Sequence, residues 1–334
     1  MPNHAEARAE ENGRASIQPF FTLPRLYTRF RLLGASYLIY ERWGQEPGPK
    51  MLLDLLNEGN EPAVAEYLAQ LTNAYRRAML DTALRMCPMQ LVRKLYHDRA
   101  APGGRLDYYY ADRTFEVCGI PIDELAHYEL VINGRQRRLD WRAILSWLAE
   151  WSRDETPQWS ACTQGDPTDV NLAVPFTVFD YDTAGRNAVV GEFANFCWYT
   201  GFLGGYLVPK LNPAAFHSSP KTFEMVSLNA PVTHAINVDR EGRRLSVDLT
   251  WRPVAARHSA ITAYWNDLVM PVWKQLAESE DINQAVKPYL ALRIIGVFNV
   301  SELDPADMLA LLACLAECCA DDFDAERLFL QGLS

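Results

Sequence analysis

The stretch that decides the predicted fold runs from Cys162 to Asp182, with the sequence CTQGDPTDVNLAVPFTVFDYD. It contains Asp166, with Asn171 five residues later and Asp180 nine residues after that. Residues 172–174 and 177–179 alternate like two short strands broken at Pro175. The pattern therefore predicts a loop, a short hairpin and an acidic turn, directly after a helix that begins at Asp140.

This order of acidic and amide side chains suits phosphoryl transfer. That reaction needs a carboxylate to orient a hydroxyl and take its proton, and oxygen ligands that hold Mg²⁺ on the phosphates. A loop aspartate with an asparagine five residues later, and an aspartate at the end of the next strand, supply these groups. Asp166, Asn171 and Asp180 have that order and spacing.

The motif resembles the aminoglycoside phosphotransferase and choline kinase family of the protein-kinase-like superfamily. The matching residues are Gly165-Asp166, Asn171 and Asp180-Tyr181. The resemblance implies an α+β, protein-kinase-like fold and an ATP-dependent small-molecule O-phosphotransferase. Asp166 would be its catalytic base, and Asn171 and Asp180 would be its Mg²⁺ ligands.

Three further residues or segments near the motif take roles from the resemblance. Asp182 would support a second metal ion or order the loop. Gln164 stands where the family has a histidine, and its amide can also donate and accept the hydrogen bonds that order the loop. Residues 191–194, Gly-Glu-Phe-Ala, would anchor the loop as a structural element.

Upstream, residues 20–27 and 35–43 read as two strands rich in aromatic residues. The resemblance makes them the fourth strand and the hinge strand of a reduced N-terminal β lobe, with backbone groups of Glu41, Arg42 and Trp43 facing the adenine. The predicted organisation is a disordered tail over 1–16, residual N-lobe strands and hinge over 17–44, and a large, mainly helical C-terminal lobe with two β-hairpins over 45–334.

The family's glycine-rich loop and phosphate-binding strand lysine are missing before Glu41. The first lysine is Lys50, and Arg25, Arg29 or Arg31 would be a different kind of charge in its place. The natural protein could start upstream of Met1, bind nucleotide differently, or be inactive. A pseudokinase-like binding or regulatory module is therefore the alternative hypothesis. A third is an unrelated α+β protein in which Asp166 and Asp169 cap turns around Pro167.

The rest of the chain gives clear local patterns. Asn60 and Pro62 begin a helix whose buried face repeats at three- and four-residue steps. Asn133-Gly134 predicts a hairpin over 128–139, and a second hairpin is predicted over 235–251. Helices are expected after Asp140, over 256–278 and after Asp304.

Composition limits the partners. The 334 residues carry a formal net charge of −10, which disfavours sequence-independent nucleic-acid binding. Without an apolar run of 18 residues or a signal peptide, we expect no membrane association and a cytoplasmic location. The seven cysteines have no metal-ligand spacing and are expected to be free thiols. ATP, Mg²⁺ and a small-molecule hydroxyl substrate are the expected ligands; the acceptor and the oligomeric state are not specified.

Overall fold

A computed structural model describes residues 4–32, 35–42, 50–111, 113–217 and 219–334. It is an α+β protein with several small sheets. Its helices are α1 (His4–Ile17), α2 (Leu52–Glu58), α3 (Glu61–Thr82), α4 (His97–Ala100), α5 (Arg105–Tyr110), α6 (Trp141–Trp151), α7 (Val189–Trp198), α8 (Val208–Leu211), α9 (Lys221–Asn229), α10 (Ala255–Tyr264), α11 (Met270–Leu276), α12 (Ile282–Ile295), α13 (Pro305–Cys319) and α14 (Ala325–Gln331).

The strands are short, and most belong to sheets of two to four strands. They are β1 (Leu26–Leu32), β2 (Ala35–Tyr40), β3 (Lys50–Met51), β4 (Leu84–Met86), β5 (Glu116–Val117), β6 (Ile120–Pro121), β7 (Glu129–Ile132), β8 (Arg135–Arg137), β9 (Gln158–Thr163), β10 (Leu172–Val174), β11 (Thr177–Val178), β12 (Gly185–Ala188), β13 (Val232–Asp239) and β14 (Arg244–Thr250). Two π-helical segments, Tyr199–Leu207 and Trp265–Val269, continue α7 and α10.

The chain divides into two compact units, each built from three segments. Unit 1 comprises Met1–Leu95, Glu155–Leu228 and Val254–Ser279, and contains the whole 162–182 motif. Unit 2 comprises Tyr96–Asp154, Asn229–Pro253 and Glu280–Ser334. The boundary that we predicted near residue 44 falls inside unit 1. Residues 45–334, which we predicted as one lobe, are divided between the two units.

In unit 1, α3 forms as predicted. The Asn60 side chain accepts a hydrogen bond from the Ala63 N–H at 3.2 Å, and Pro62 lies in the first turn. The predicted apolar face is buried, including Tyr67 and Tyr75. Helices α3 and α10 contact each other, and the stacked rings of Phe196 and Tyr264 extend this core.

The predicted disordered tail over residues 1–16 is wrong for the described part, because residues 4–17 form α1. The helix buries Ala7 and Ile17, and a Cβ at Gly13 would lie 2.2 Å from the Tyr181 carbonyl oxygen. The buried stripe, made of Ala7, Gly13 and Ile17, is spaced among many charged residues. Composition alone therefore conceals it.

The first predicted strand, residues 20–27, is also misplaced. β1 begins only at Leu26, and Phe21 instead enters the core with its ring 4.8 Å from that of Tyr75. Pro24 lacks the N–H that a strand ladder needs, which explains why pairing starts after it. The second predicted strand forms β2 over Ala35–Tyr40, and it pairs antiparallel with β1.

A strand that the sequence analysis missed, β9, separates the Asp140 helix from the motif. It is the central strand of a three-stranded sheet of order β12-β9-β4. Gln158–Thr163 contains polar residues and a cysteine, so its pattern lacks the apolar alternation of an ordinary strand. The chain therefore enters the motif from a strand and not directly from a helix.

Unit 2 contains both predicted hairpins in one four-stranded sheet of order β13-β14-β7-β8. Asn133 and Gly134 have positive φ values of 50° and 76°, as a tight two-residue hairpin turn requires. The predicted caps also form, since Asp140 accepts from Ala143 at 3.0 Å and Asp304 from Asp307 at 3.0 Å.

Two composition-based expectations concern the described residues. None of their helices combines the length and the apolarity needed to cross a membrane. All seven cysteines are free thiols, and Cys197, Cys314 and Cys318 are buried.

Candidate active site

Two short antiparallel pairings in unit 1 bring the ends of the motif together. β9 leads into the 164–171 loop and pairs with β12, which leaves the acidic turn; Thr163 faces Gly185 in this register. β10 pairs with β11, and the Phe179 N–H donates to the Asn171 carbonyl at 2.9 Å. Asn171 and Asp180 therefore lie at one end of the hairpin, beside the loop that carries Asp166.

Gln164 links the loop to the acidic turn. Its side-chain amide donates to the carbonyl oxygens of Phe179, at 3.1 Å, and Asp180, at 2.8 Å. Its own carbonyl oxygen accepts the Asp166 N–H at 2.6 Å. The residue is fully buried. One amide thus makes all three bonds, using both its donor and its acceptor.

Gly165 is required by the backbone next to the proposed base. Its φ of +90° is strained for any residue with a side chain, and a Cβ there would lie 2.2 Å from the Thr183 carbonyl oxygen. Glycine allows the loop to cross close to the acidic turn. This close approach sets the position of Asp166.

Two asparagines hold Asp166. The Asn171 amide donates to the Asp166 backbone carbonyl at 3.0 Å, which leaves the Asn171 side-chain oxygen available as a ligand atom. Asn195 donates to the Asp166 carboxylate at 2.6 Å. The sequence analysis did not identify Asn195. The clue in the sequence is a polar amide among the apolar residues of helix α7, where Asn195 is fully buried.

Glu192 lies beneath the same loop. The Thr163 hydroxyl donates to its carboxyl at 2.6 Å. Burial, opposed by hydrogen bonds from Thr163 and the Gly165 backbone, raises the pKa of Glu192 from 4.5 to about 8. Residues 191–194 were expected to anchor the loop. The hydrogen bond that Thr163, at the end of β9, donates to Glu192 links α7 to the start of the loop.

Asp169 has a different environment from the one the turn-capping hypothesis requires. Its carboxylate accepts from the Arg257 guanidinium at 2.9 Å, and both side chains are almost completely buried. Arg257 also donates to the Thr200 carbonyl at 2.7 Å. The Asp169 side chain therefore fastens the loop to α10 and the π-helical segment.

Asp180 and Asp182 crowd negative charge at the acidic turn. Asp180 has a positive φ of 55°. Burial of its carboxyl, with the charges of Asp182 and Asp166, raises the pKa of Asp180 to about 6 although part of the residue faces solvent. Lys94 forms an ion pair with Asp182. A bound cation would relieve the same crowding.

The fit of this site to Mg²⁺ follows from its donor atoms. Asn171, Asp180 and Asp182 offer only oxygen ligands, which Mg²⁺ prefers. Within the part of the chain that the structure describes, no three His, Cys, Asp or Glu side chains group as a metal centre. The predicted ligand set has two carboxylates and one amide, so nucleotide phosphates and water would have to complete the coordination.

A groove of about 470 Å³ opens onto the acidic turn. Helix α1 lines it with Glu6, Ala7 and Glu10, β2 lines it with residues 35–38 and Tyr40, and the remaining lining residues are Lys94, Asp180 and Asp182. The Tyr40 hydroxyl donates to Glu10 at 2.8 Å. The groove is large enough for a small ligand or part of a nucleotide.

The predicted adenine-facing residues follow directly after Tyr40. The Glu41 N–H donates to the Arg25 carbonyl at 2.7 Å, so Glu41 extends the β1–β2 pairing. Arg42 is exposed, and Trp43 lies outside the described residues. The role of these three residues in nucleotide binding stays a prediction.

Models of known protein families do not match the chain, and curated proteins include no significant relative of it. The functional assignment therefore depends on the site itself.

Proposed function

We propose that the protein is an ATP-dependent small-molecule O-phosphotransferase. The observation that carries the proposal is the hydrogen-bonded loop in which Gln164 joins Asp166 to the acidic turn and Asn171 holds the Asp166 backbone. These bonds keep the carboxylate and the oxygen ligands in a fixed relation before any ligand binds. Preorganisation of this kind is what phosphoryl transfer asks of a protein.

In the proposed mechanism, the acceptor hydroxyl donates a hydrogen bond to Asp166, which orients it and takes its proton as the oxygen attacks the γ-phosphorus. The bond from the γ-phosphorus to the β–γ bridging oxygen breaks, and ADP leaves. Asn195 donates to one Asp166 carboxylate oxygen and so fixes the orientation of the proposed base. Asn171 and Asp180, with Asp182 nearby, would hold Mg²⁺. The ion would neutralise the charge of the phosphates.

The test is Mg²⁺-dependent ATP binding by calorimetry, comparing the wild type with Asp180→Ala. We expect the substitution to weaken binding at least tenfold, because a metal ligand is lost. Asp166→Ala should keep nucleotide affinity within about twofold and abolish ADP formation with the productive member of a panel of aminoglycoside, choline and sugar acceptors. Equal binding by wild type and Asp180→Ala, or no binding by either, would contradict the proposal.

A second candidate is a pseudokinase-like binding or regulatory module. It is favoured by the two-stranded β1–β2 sheet, which carries no glycine-rich loop in its described residues. Such a module would bind Mg²⁺ and ATP without producing ADP in the presence of any acceptor. The same calorimetric and turnover measurements therefore separate the two candidates.

A further inference from the structure

We infer that Lys94, which pairs with Asp182, is the phosphate-binding cation of this site and moves to the nucleotide phosphates when the metal–nucleotide complex enters. The inference rests on the proposed function. It assigns the charge that the sequence lacks upstream of Glu41 to a residue between Glu41 and the motif.

The first observation is the charge balance of the groove. Four carboxylates, from Glu6, Glu10, Asp180 and Asp182, are set against the single ammonium of Lys94 among its described lining residues. A free nucleotide triphosphate would be repelled by this lining. A nucleotide that arrives with its metal brings the positive charge that the carboxylates need, and Lys94 is the cation among the described lining residues that its phosphates could meet.

The second observation is the way in which the Lys94 backbone is held. The Val92 N–H donates to the Arg186 carbonyl at 2.9 Å, so the segment before Lys94 runs beside β12. β12 is the strand that leaves the acidic turn. The Lys94 side chain is therefore carried by a backbone fixed to the same part of unit 1 as Asp182.

The third observation is that the Lys94–Asp182 pair is suited to exchange. The side chain of Lys94 is 57% exposed and that of Asp182 is 36% exposed, and exposed pairs of this kind contribute little stability. Lysine carries a compact charge with three donors on a flexible stem. The buried Arg257–Asp169 pair of the same unit, in contrast, has no room to change partners.

The upstream arginines lie elsewhere. Arg29 and Arg31 line a neighbouring cavity of about 330 Å³ together with Arg8 and Glu11. Arg29 is also paired with Glu11 at 2.5 Å. Neither arginine is among the lining residues of the groove at the acidic turn, whereas Lys94 is.

The experiment measures two affinities in the full chain: Mn²⁺ alone by electron paramagnetic resonance, and Mg²⁺·ATP by calorimetry. In Lys94→Met we expect Mn²⁺ to bind about threefold to fivefold tighter, because a competing cation is removed, and Mg²⁺·ATP to bind about tenfold weaker. Lys94→Arg should retain most of the nucleotide affinity. Lys50→Met is the matched control, since Lys50 forms an exposed ion pair with Glu58 outside the groove.

Affinities that do not change in Lys94→Met, or that change in the same direction for metal and nucleotide, overturn the role of Lys94. An equal loss in Lys50→Met also overturns it, because the effect would then be one of overall charge. If the wild type binds Mg²⁺·ATP and Asp180→Ala does not, such a result leaves the proposed function standing. If the wild type binds neither ligand, the proposed function fails and the inference fails with it.

Discussion

At the scale of single residues, Asn195 links the helical core to the proposed chemistry. It donates to the Asp166 carboxylate at 2.6 Å and to the Gly165 carbonyl at 3.3 Å, and it is fully buried. A hydrogen bond to a charged group contributes about 1.5–3 kcal/mol. We therefore regard Asn195 as a positioning residue for the proposed base.

Asn195→Ala should lower kcat about tenfold to hundredfold and leave the Kd for Mg²⁺·ATP within about twofold, since the nucleotide ligands are untouched. Asn299→Ala is the control, because it removes a buried amide of unit 2 that hydrogen-bonds Glu302. Steady-state kinetics and calorimetry check the split, with thermal unfolding to confirm the fold. A parallel loss of kcat and nucleotide affinity in Asn195→Ala would indicate a merely structural role.

At the scale of secondary-structure elements, α7 carries the buried carboxyl of Glu192 against the end of β9. With a pKa raised from 4.5 to about 8, the folded protein keeps a proton that the unfolded chain releases in that pH range. The free energy of unfolding therefore falls as pH rises from about 4.5 to about 8. The contribution of one proton is up to about 1.4 kcal/mol per pH unit.

Glu192→Gln removes this titration and keeps the hydrogen bond from Thr163. We expect its free energy of unfolding to fall less steeply between pH 5 and pH 8 than that of the wild type, as measured by urea denaturation at several pH values. Glu66→Gln, at an exposed position on α3, should follow the wild-type curve. Parallel curves for Glu192→Gln and the wild type would show that Glu192 is not protonated in the folded state.

The same scale explains which elements could be predicted. Helix α3, helix α6 and the Asn133-Gly134 hairpin are specified locally, by a cap, a periodic face or a turn dipeptide. α1 and β9 depend on distant contacts, since Gly13 meets the Tyr181 region and β9 pairs with both β4 and β12. Local patterns cannot contain that information.

At the scale of the whole molecule, Asn171 and Asp180 lie at one end of a short hairpin, next to the loop that carries Asp166. Lys94, Asn195 and Arg257 were not predicted. They come from three other parts of unit 1, and no local spacing relates them to the loop. Local patterns also cannot predict the division into two units of three segments each. That division depends on contacts between segments that are far apart in the sequence.

The Asp169–Arg257 pair has a consequence for biosynthesis, because its members are 88 residues apart in the chain. The ribosome synthesises the loop that carries Asp169 well before it synthesises Arg257. A buried carboxylate without its partner is strongly unfavourable. We expect nascent chains stalled before Arg257 to be cleaved by protease within the loop, and released full-length chains to resist. Resistance in the stalled chains would contradict this. The order of translation would thus delay a finished loop until Arg257 has been made.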